Sequence, residues 1–230
     1  MCGIIGIYNF LINNNIVNQT YENLKNLQHR GRDSYGYVFY NNKFKTYKQL
    51  GKIEEPKEID EKYKFSLGHT KYTTSKFKKK NINSNEDLLK ITQPFRGINK
   101  RLGEFYLVHN GNINNLESVK ELFDMEKEEI YNDSHLLLKI IEKLELQRWE
   151  DIFNQLILSI EGSFSILVLT KDSLFAFKDI KGYRPLCIGF NENGYCFASE
   201  SVGLGEYNYL REIERGEIVI INNNKMNIYE

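Results

Sequence analysis

The order of hydrophobic patterns along the chain predicts an α+β fold with largely antiparallel sheets. Strand-like runs come first, three helical patterns follow in the middle, and only strands and turns follow residue 162. The 230 residues contain no internal repeat, no low-complexity linker and no break in composition. We therefore expect one domain over residues 1–230.

The first third of the chain is predicted to be mostly strands. GIIGIYNF (3–10) is a β-branched apolar run bounded by glycine, which indicates a buried strand. Apolar residues on one face predict a helix over 19–31, with Thr20 as its N-cap and Gly31 as its terminator. The next predicted strands cover 35–41, 44–51 and 66–71, the last of which runs into a loop.

Residues 75–92 are polar and lack a steady period, which predicts a long loop. Its basic run, residues 76–80, is typical of a solvated face, since aromatic side chains that could stack on bases do not alternate with the lysines. We interpret this segment as a lid.

The remaining elements follow from periodicity and turn residues. A strand from residue 103 is predicted to run into a turn at HNGN (109–112). Helices are predicted at 116–123, 133–144 and 149–162, and Asp133 suits an N-cap. The predicted strands after them are 163–170, 173–179, 185–191, 194–201, 217–224 and 225–230, with hairpin signals at 193–194 and 222–224.

Composition excludes several classes of function. Lys plus Arg and Asp plus Glu both number 31, so net charge gives no reason to expect binding to nucleic acid or to an anionic membrane. No apolar run approaches the ~20 residues of a spanning helix, and the N-terminus lacks the features of a signal peptide. Three cysteines without dense spacing fit a reducing cytoplasm. The scattered histidines form no metal-binding motif, so we expect no metal site.

The second residue has unusual chemical potential. Cys2 follows Met1, and removal of that methionine would leave one residue with both a thiol nucleophile and an α-amine base. Other candidate stretches are HRGRDSYG (29–36), GHTKYTT (68–74) and HNGN. Simpler structural interpretations are a core thiol for Cys2, a helix terminator for Gly31, a tight-turn pair for Asn110-Gly111 and a helix cap for Asp133.

Taken together, these stretches resemble a known family. MCGIIGIY, LQHRGRDSYG, GHTKYTT, QPF, HNGN and NDS occur in the order found in class II glutamine amidotransferases, which are N-terminal-nucleophile hydrolases. KDIKGYRPLCIG, ASESVGL and ERGEIVII are similar to the glutaminase half of the glutamine phosphoribosylpyrophosphate amidotransferases of purine biosynthesis. The resemblance implies a four-layer αββα sandwich with no cofactor and no metal.

The resemblance also implies roles for particular residues. Cys2 would attack the side-chain amide of glutamine, form a thioester and release ammonia. The Asn110 side chain and the Gly111 N–H would stabilise the oxyanion. The substrate pocket would be formed by Arg30, Gly31 and Thr74, together with Lys71 and Asp133. In the family pattern, Asp133 would bind the substrate's α-ammonium, and Lys71 stands where an arginine holds the α-carboxylate.

Three features depart from the family pattern. Lys71 replaces the arginine, the loop between Thr74 and Gln93 is longer, and no phosphoribosyltransferase motif is present in this chain. We therefore expect a cytoplasmic glutamine amidohydrolase that passes ammonia to a separate acceptor-binding partner. The alternative is a non-catalytic glutamine-sensing or interaction module that retains the fold. Oligomeric state is left open. Cys187 and Cys196 are predicted to be buried and unreactive.

Overall fold

The structure is a computed structural model that describes residues 1–13, 15–56, 62–72 and 84–229. In these residues two antiparallel sheets lie face to face, with helices on both outer faces. The predicted α+β class and the αββα sandwich are confirmed. None of the described helices is long and apolar enough to cross a membrane.

The described elements run as follows in chain order. The strands are β1 (Gly3–Asn13), β2 (Ser34–Asn41), β3 (Lys43–Leu50), β4 (Tyr63–Lys71), β5 (Phe95–Asn99), β6 (Gly103–Ile113), β7 (Gly162–Thr170), β8 (Ser173–Lys178), β9 (Cys187–Asn191), β10 (Gly194–Ala198), β11 (Asn208–Glu212), β12 (Ile218–Asn222) and β13 (Lys225–Tyr229). The α-helices are α1 (Ile16–Asn26), α2 (Asn85–Lys90), α3 (Leu116–Leu122), α4 (Asp133–Lys143) and α5 (Trp149–Ser159). Short 3-10 helices cover Gln28–Arg30 and Ser201–Leu204.

Strand order places the N-terminus in the middle of one sheet. The first sheet has the order β11-β9-β10-β1-β4-β2-β3, and the second has the order β13-β12-β8-β7-β6-β5. In the first sheet β1 lies between β10 and β4 and is antiparallel to both. The residue that precedes β1 is Cys2, so the candidate nucleophile lies at the end of a central strand.

The sheets pack through alternating side chains. Ile4 and Tyr8 of β1, with Leu67 of β4, contact Val108 of β6 and Leu167 of β7 in one buried cluster. On the outer face of the first sheet, α1 covers the opposite set of β1 side chains. Helices α3, α4 and α5 cover the outer face of the second sheet. The two sheets therefore share an internal layer that runs from one end of the strands to the other.

Several local predictions were wrong at the first helix. α1 begins at Ile16, not at Thr20, because the Thr20 hydroxyl donates to the Ile16 carbonyl inside the helix at 2.6 Å. Gly31 is extended, with φ −163°, and is not a left-handed terminator. An added Cβ at Gly31 would lie 2.5 Å from the Lys71 carbonyl carbon, so close packing against β4 explains the glycine.

Local signals also misplaced three later features. The predicted loop 75–92 contains α2, which Ser84 caps by accepting a hydrogen bond from the Asp87 N–H at 3.2 Å; residues 75–83 lie outside the described residues. Asn132, not Asp133, caps α4, with its side chain accepting from the His135 N–H at 2.9 Å. The strands β5 and β11 were not predicted, whereas the hairpins β9–β10 and β12–β13 are confirmed.

Candidate functional site

Cys2 is partly buried at the edge of the internal layer. Burial raises the pKa of its thiol, and several neighbours oppose that rise: a hydrogen bond from the Tyr72 backbone and the charges of the terminal amine, Lys71 and Arg30. Burial likewise lowers the pKa of the Met1 amine; the thiol opposes that shift, and Arg30 adds to it. The partly buried Cys2 thiol and the amine of the exposed Met1 thus both lie near the positive charge of Arg30.

Arg30 is buried and directed at the nucleophile's main chain. Its Nε donates to the Cys2 carbonyl oxygen at 2.9 Å, and its Nη1 donates to a carboxylate oxygen of Glu200. The sequence predicted that this residue lines the substrate pocket. The structure brings it to Cys2, where two of its donors already have protein partners.

Lys71 is the last residue of β4 and faces the same layer. Its Nζ donates to the Ile91 carbonyl at 3.1 Å, which anchors the ammonium beneath the turn after α2. Burial lowers the pKa of Lys71, while Cys2 and Asp33 raise it. A single charged donor group therefore stands where the family pattern has a guanidinium fork.

Asn110 and Gly111 lie on β6 and not in the turn that the sequence predicted. They pair with Ser165 and Phe164 of β7. Asn110 is 1% exposed, and its side-chain Nδ2 has no hydrogen-bond partner within the described ranges. A Cβ on Gly111 would lie 2.6 Å from the Phe164 Cα, so the strand pairing itself requires glycine. The site thus contains a buried, uncommitted N–H donor.

Asp133 begins α4 beside the end of β6. Its Oδ2 accepts from the Ile113 N–H at 2.8 Å, which links the helix start to the strand. Burial raises the pKa of this carboxyl, opposed by the same backbone hydrogen bond. The carboxylate is therefore fixed by main chain and has no described cationic partner. Thr74, the remaining predicted site residue, lies outside the described residues.

Sequence reasoning missed several groups that the fold brings to this end. Arg184 donates to the Asn112 side chain at 3.0 Å, and its charge lowers the pKa of the Met1 amine after the larger effect of burial. His69 is fully buried on β4, and burial lowers the pKa of its ring well below the usual value, opposed by a hydrogen bond to the His109 backbone. Both residues lie inside stretches that were singled out, but only the folded geometry shows what they contact.

The other two cysteines differ from Cys2. Cys187 and Cys196 are fully buried, and burial raises the pKa of both thiols, that of Cys187 to about 12. All three cysteines are free thiols. Among the described residues, no group of three or more His, Cys, Asp or Glu side chains could hold a metal ion.

The chain is similar to known proteins in both sequence and fold. The model of a family described as "Glutamine amidotransferase domain" matches residues 82–206, which is more than half of the chain. An amidophosphoribosyltransferase of Staphylococcus aureus is 28% identical over 96% of this chain and 44% of its own length. One from Archaeoglobus fulgidus is 27% identical over 98% of this chain and 49% of its own length. The chain thus spans less than half the length of these relatives.

A solved structure agrees over nearly the whole chain. The glutamine phosphoribosylpyrophosphate amidotransferase from B. subtilis, solved with ADP and GMP, superposes with a TM-score of 0.83. It is 27% identical and covers 99% of this chain, which in turn covers 49% of that protein. With the family match and the Cys2 geometry, this shows that the chain belongs to the class II glutamine amidotransferases, which are N-terminal-nucleophile hydrolases.

Proposed function

We propose that this chain hydrolyses the side-chain amide of glutamine to glutamate and ammonia, with Cys2 as the nucleophile once Met1 has been removed. The observation that carries the proposal is the buried Asn110 Nδ2, which has no partner in the described ranges and lies at the same end of the internal layer as Cys2. An uncommitted buried donor costs stability. Such a donor is what an amide carbonyl needs as it becomes an oxyanion.

The α-amine of Cys2 is the proposed general base. In the processed chain this amine would lie near Arg30 and Arg184, whose charges already lower the pKa of the Met1 amine after the larger effect of burial. A lowered pKa favours the neutral form of an amine, which can accept the thiol proton. The thiolate then attacks the amide carbon, ammonia leaves, and water hydrolyses the thioester.

Substrate binding is assigned to the charged side chains of Asp133 and Lys71. Asp133 is proposed to accept the α-ammonium of glutamine, and Lys71 is proposed to hold the α-carboxylate through its remaining Nζ donors. Gly31 contributes close packing against Lys71, which sets the position of that lysine. Thr74 is retained as a pocket residue on the family pattern alone.

Ammonia transfer to a separate acceptor-binding partner is also proposed. It is supported by the names of the relatives, which are amidophosphoribosyltransferases about twice the length of this chain. A cytoplasmic location is also proposed. All three thiols are free, although Cys187 and Cys196 lie on the paired strands β9 and β10, and this fits a reducing compartment.

The test is ammonia and glutamate release by the purified chain, compared with the Cys2→Ala and Cys196→Ala variants. Cys2→Ala is expected to abolish turnover while the free energy of unfolding changes by less than about 1 kcal/mol. Cys196→Ala removes a fully buried thiol and is expected to keep turnover. Turnover near wild type in Cys2→Ala would rule out the mechanism.

A non-catalytic glutamine sensor is the second candidate, and Lys71 is the observation that favours it. The anchored ammonium offers a charge without a bidentate fork, which fits weak, reversible recognition better than a tight catalytic pocket. Calorimetry separates the two functions: a sensor binds glutamine with a saturable heat and releases no ammonia, even after Met1 has been removed.

A further inference from the structure

Residues 198–200, which leave β10, continue alongside the beginning of β1, since Ala198 pairs with Ile5 and Ser199 bonds to Ile4. The Ser199 N–H donates to the Ile4 carbonyl at 3.0 Å, and the Ile4 N–H donates to the Ser199 hydroxyl oxygen at 3.0 Å. Both residues are fully buried. A segment 195 residues away in sequence therefore fixes the main chain two positions after the nucleophile.

Glu200 extends this contact to the nucleophile itself. Its Oε1 accepts from Arg30 Nη1, and the same guanidinium donates through Nε to the Cys2 carbonyl at 2.9 Å. The Arg30 side chain is 3% exposed and the Glu200 side chain 35% exposed. Glu200, Arg30 and the Cys2 main chain thus form a continuous series of hydrogen bonds.

The electrostatics of Glu200 fit an ionised partner of Arg30. Burial by itself raises the pKa of the Glu200 carboxyl, but hydrogen bonds and charges from Arg30 and His29 outweigh burial and lower it. His29 contributes through its Nε2, which lies 3.0 Å from Glu200 Oε2. The carboxylate therefore stays charged at neutral pH and offsets the guanidinium charge beside the thiol.

The nucleophile needs such an anchor because of where it lies. β1 begins at Gly3, so Cys2 is outside the strand's hydrogen-bonded ladder, and terminal residues of a chain fray unless they are tied down. Catalytic groups must be held to within about 0.5 Å of the productive geometry. In the described residues, Arg30 is the side chain that donates a hydrogen bond to the Cys2 main chain.

We propose that Glu200 is a positioning residue for the Cys2 nucleophile, acting through the Arg30 guanidinium on the Cys2 carbonyl. The proposal rests on the proposed function in assigning catalysis to Cys2. It assigns a use to the ASESVGL stretch, which the glutaminase mechanism above leaves unexplained.

The test compares Glu200→Gln with the wild type in two measurements on the full chain. The first is steady-state glutaminase kinetics, in which kcat is expected to fall about tenfold to a hundredfold while KM changes less than about twofold. The second is the rate of Cys2 alkylation by iodoacetamide against pH, with the site identified by peptide mapping. Loss of the carboxylate leaves Arg30 unbalanced, so the thiol should ionise at lower pH.

The matched control is Glu217→Gln. Glu217 immediately precedes β12 and pairs with Arg211 of β11 through two contacts of 2.6 and 2.8 Å. β11 is an edge strand three positions from β1 in the first sheet. Losing this pair is expected to lower thermal stability and to leave both kcat and the alkylation profile of Cys2 unchanged. A role for Glu200 in stability alone would make the two variants behave alike, and that result would overturn the proposal.

Glu200→Asp keeps the test decisive if Glu200→Gln does not fold. Aspartate retains the charge and shortens the reach by one methylene, so kcat should fall severalfold while the alkylation profile stays in place. Wild-type kcat in that variant would contradict the proposal. If the wild-type chain releases no ammonia, the proposed function is wrong. The alkylation profile would still show whether Glu200 controls the Cys2 thiol.

Discussion

The two ends of the layer between the sheets differ, although β1, β4 and β6 run through both. At one end aromatic rings fill the space: the Tyr8 and Phe65 ring centroids are 4.3 Å apart, and those of Phe44 and Tyr106 are 4.7 Å apart. At the other end lie Cys2, just before β1, Lys71 of β4 and Asn110 of β6, with the adjoining polar groups His69 and Ser165.

Hydrogen bonding separates the two ends further. At the polar end the Asn110 Nδ2 and the Ser165 hydroxyl have no partner in the described part of the chain. Each buried polar atom without a partner costs about 1–3 kcal/mol. The aromatic end instead contributes apolar burial. The aromatic end therefore contributes more to stability than the polar end, where two buried polar atoms have no partner among the described residues.

Phe65→Ala is the largest expected effect, and it should fall on stability. The ring is 3% exposed and packs against Tyr8 and Tyr40, so its loss leaves a cavity that nearby side chains fill only in part. We expect a loss of about 3–5 kcal/mol in the free energy of unfolding, measured by urea denaturation. At a temperature where the variant is folded, kcat should stay within about twofold of wild type. A large loss of kcat without a loss of stability would contradict the division between the ends.

Asn110→Ala should show the opposite pattern. Loss of one oxyanion donor is expected to lower kcat about 10²–10³-fold, with a much smaller change in KM. Because the Nδ2 has no partner among the residues described, its removal should not lower the free energy of unfolding by more than about 1 kcal/mol. Steady-state kinetics and urea denaturation of the same preparation measure both quantities. A stable variant with wild-type kcat would remove Asn110 from the proposed site.

Lys71→Arg should strengthen glutamine binding at the polar end, because a guanidinium can bind both oxygens of the α-carboxylate. The gain is about one hydrogen bond to a charged group, roughly 1.5–3 kcal/mol, which corresponds to a tenfold or larger fall in KM for glutamine. Lys64→Arg is the matched control, because Lys64 lies on the same strand at the aromatic end. Its Nζ is 5.2 Å from the centroid of the Phe65 ring. Kinetics over a wide glutamine range measure both. An unchanged KM in Lys71→Arg would mean that another group holds the α-carboxylate.

Two buried histidines should also make the fold sensitive to mild acid: His69 at the polar end, and His109 on the other face of β6, where its Nδ1 lies 2.8 Å from the Ser134 hydroxyl of α4. Burial lowers the pKa of His109 to about 3 and that of His69 well below its usual value. Since a depressed folded-state pKa favours the neutral form, this contribution is complete above the unfolded pKa of ~6.5. It is lost as the pH falls toward the folded value, by up to ~1.4 kcal/mol per pH unit for each histidine. Urea denaturation at pH 7 and pH 5 measures the slope, which should be smaller in His109→Gln. Equal slopes in the two proteins would show that His109 does not stay neutral.

Sequence patterns predicted the fold well where local and tertiary preferences agree. The apolar run of β1 prefers a strand both locally and in the folded sheet. The asparagines of the β12–β13 turn, Asn223 and Asn224, likewise prefer the positive φ that they adopt in the fold. In the Asn110-Gly111 pair the local preference and the folded conformation differ. Its local preference is a turn, but pairing with β7 extends β6 through it.

The sequence offers residue types for the candidate site, which stay a prediction, but it does not give the contacts between them. The motif that contains Cys2 indicates a nucleophile because of its chemistry. Arg30 was expected to line the pocket, yet its main contacts are the Cys2 carbonyl and Glu200. Contacts between residues about 170 positions apart depend on strand order, which periodicity does not encode.

Intact-mass spectrometry after treatment with a glutamine-analogue electrophile tests most directly whether Cys2, freed of Met1, is the nucleophile. The expected result is a chain lacking Met1 that gains one adduct. Peptide mapping should place that adduct on Cys2, with Cys187 and Cys196 unmodified, and an excess of glutamine should prevent it. A processed chain that gains no adduct, or one modified at Cys187 or Cys196 instead, would contradict the account.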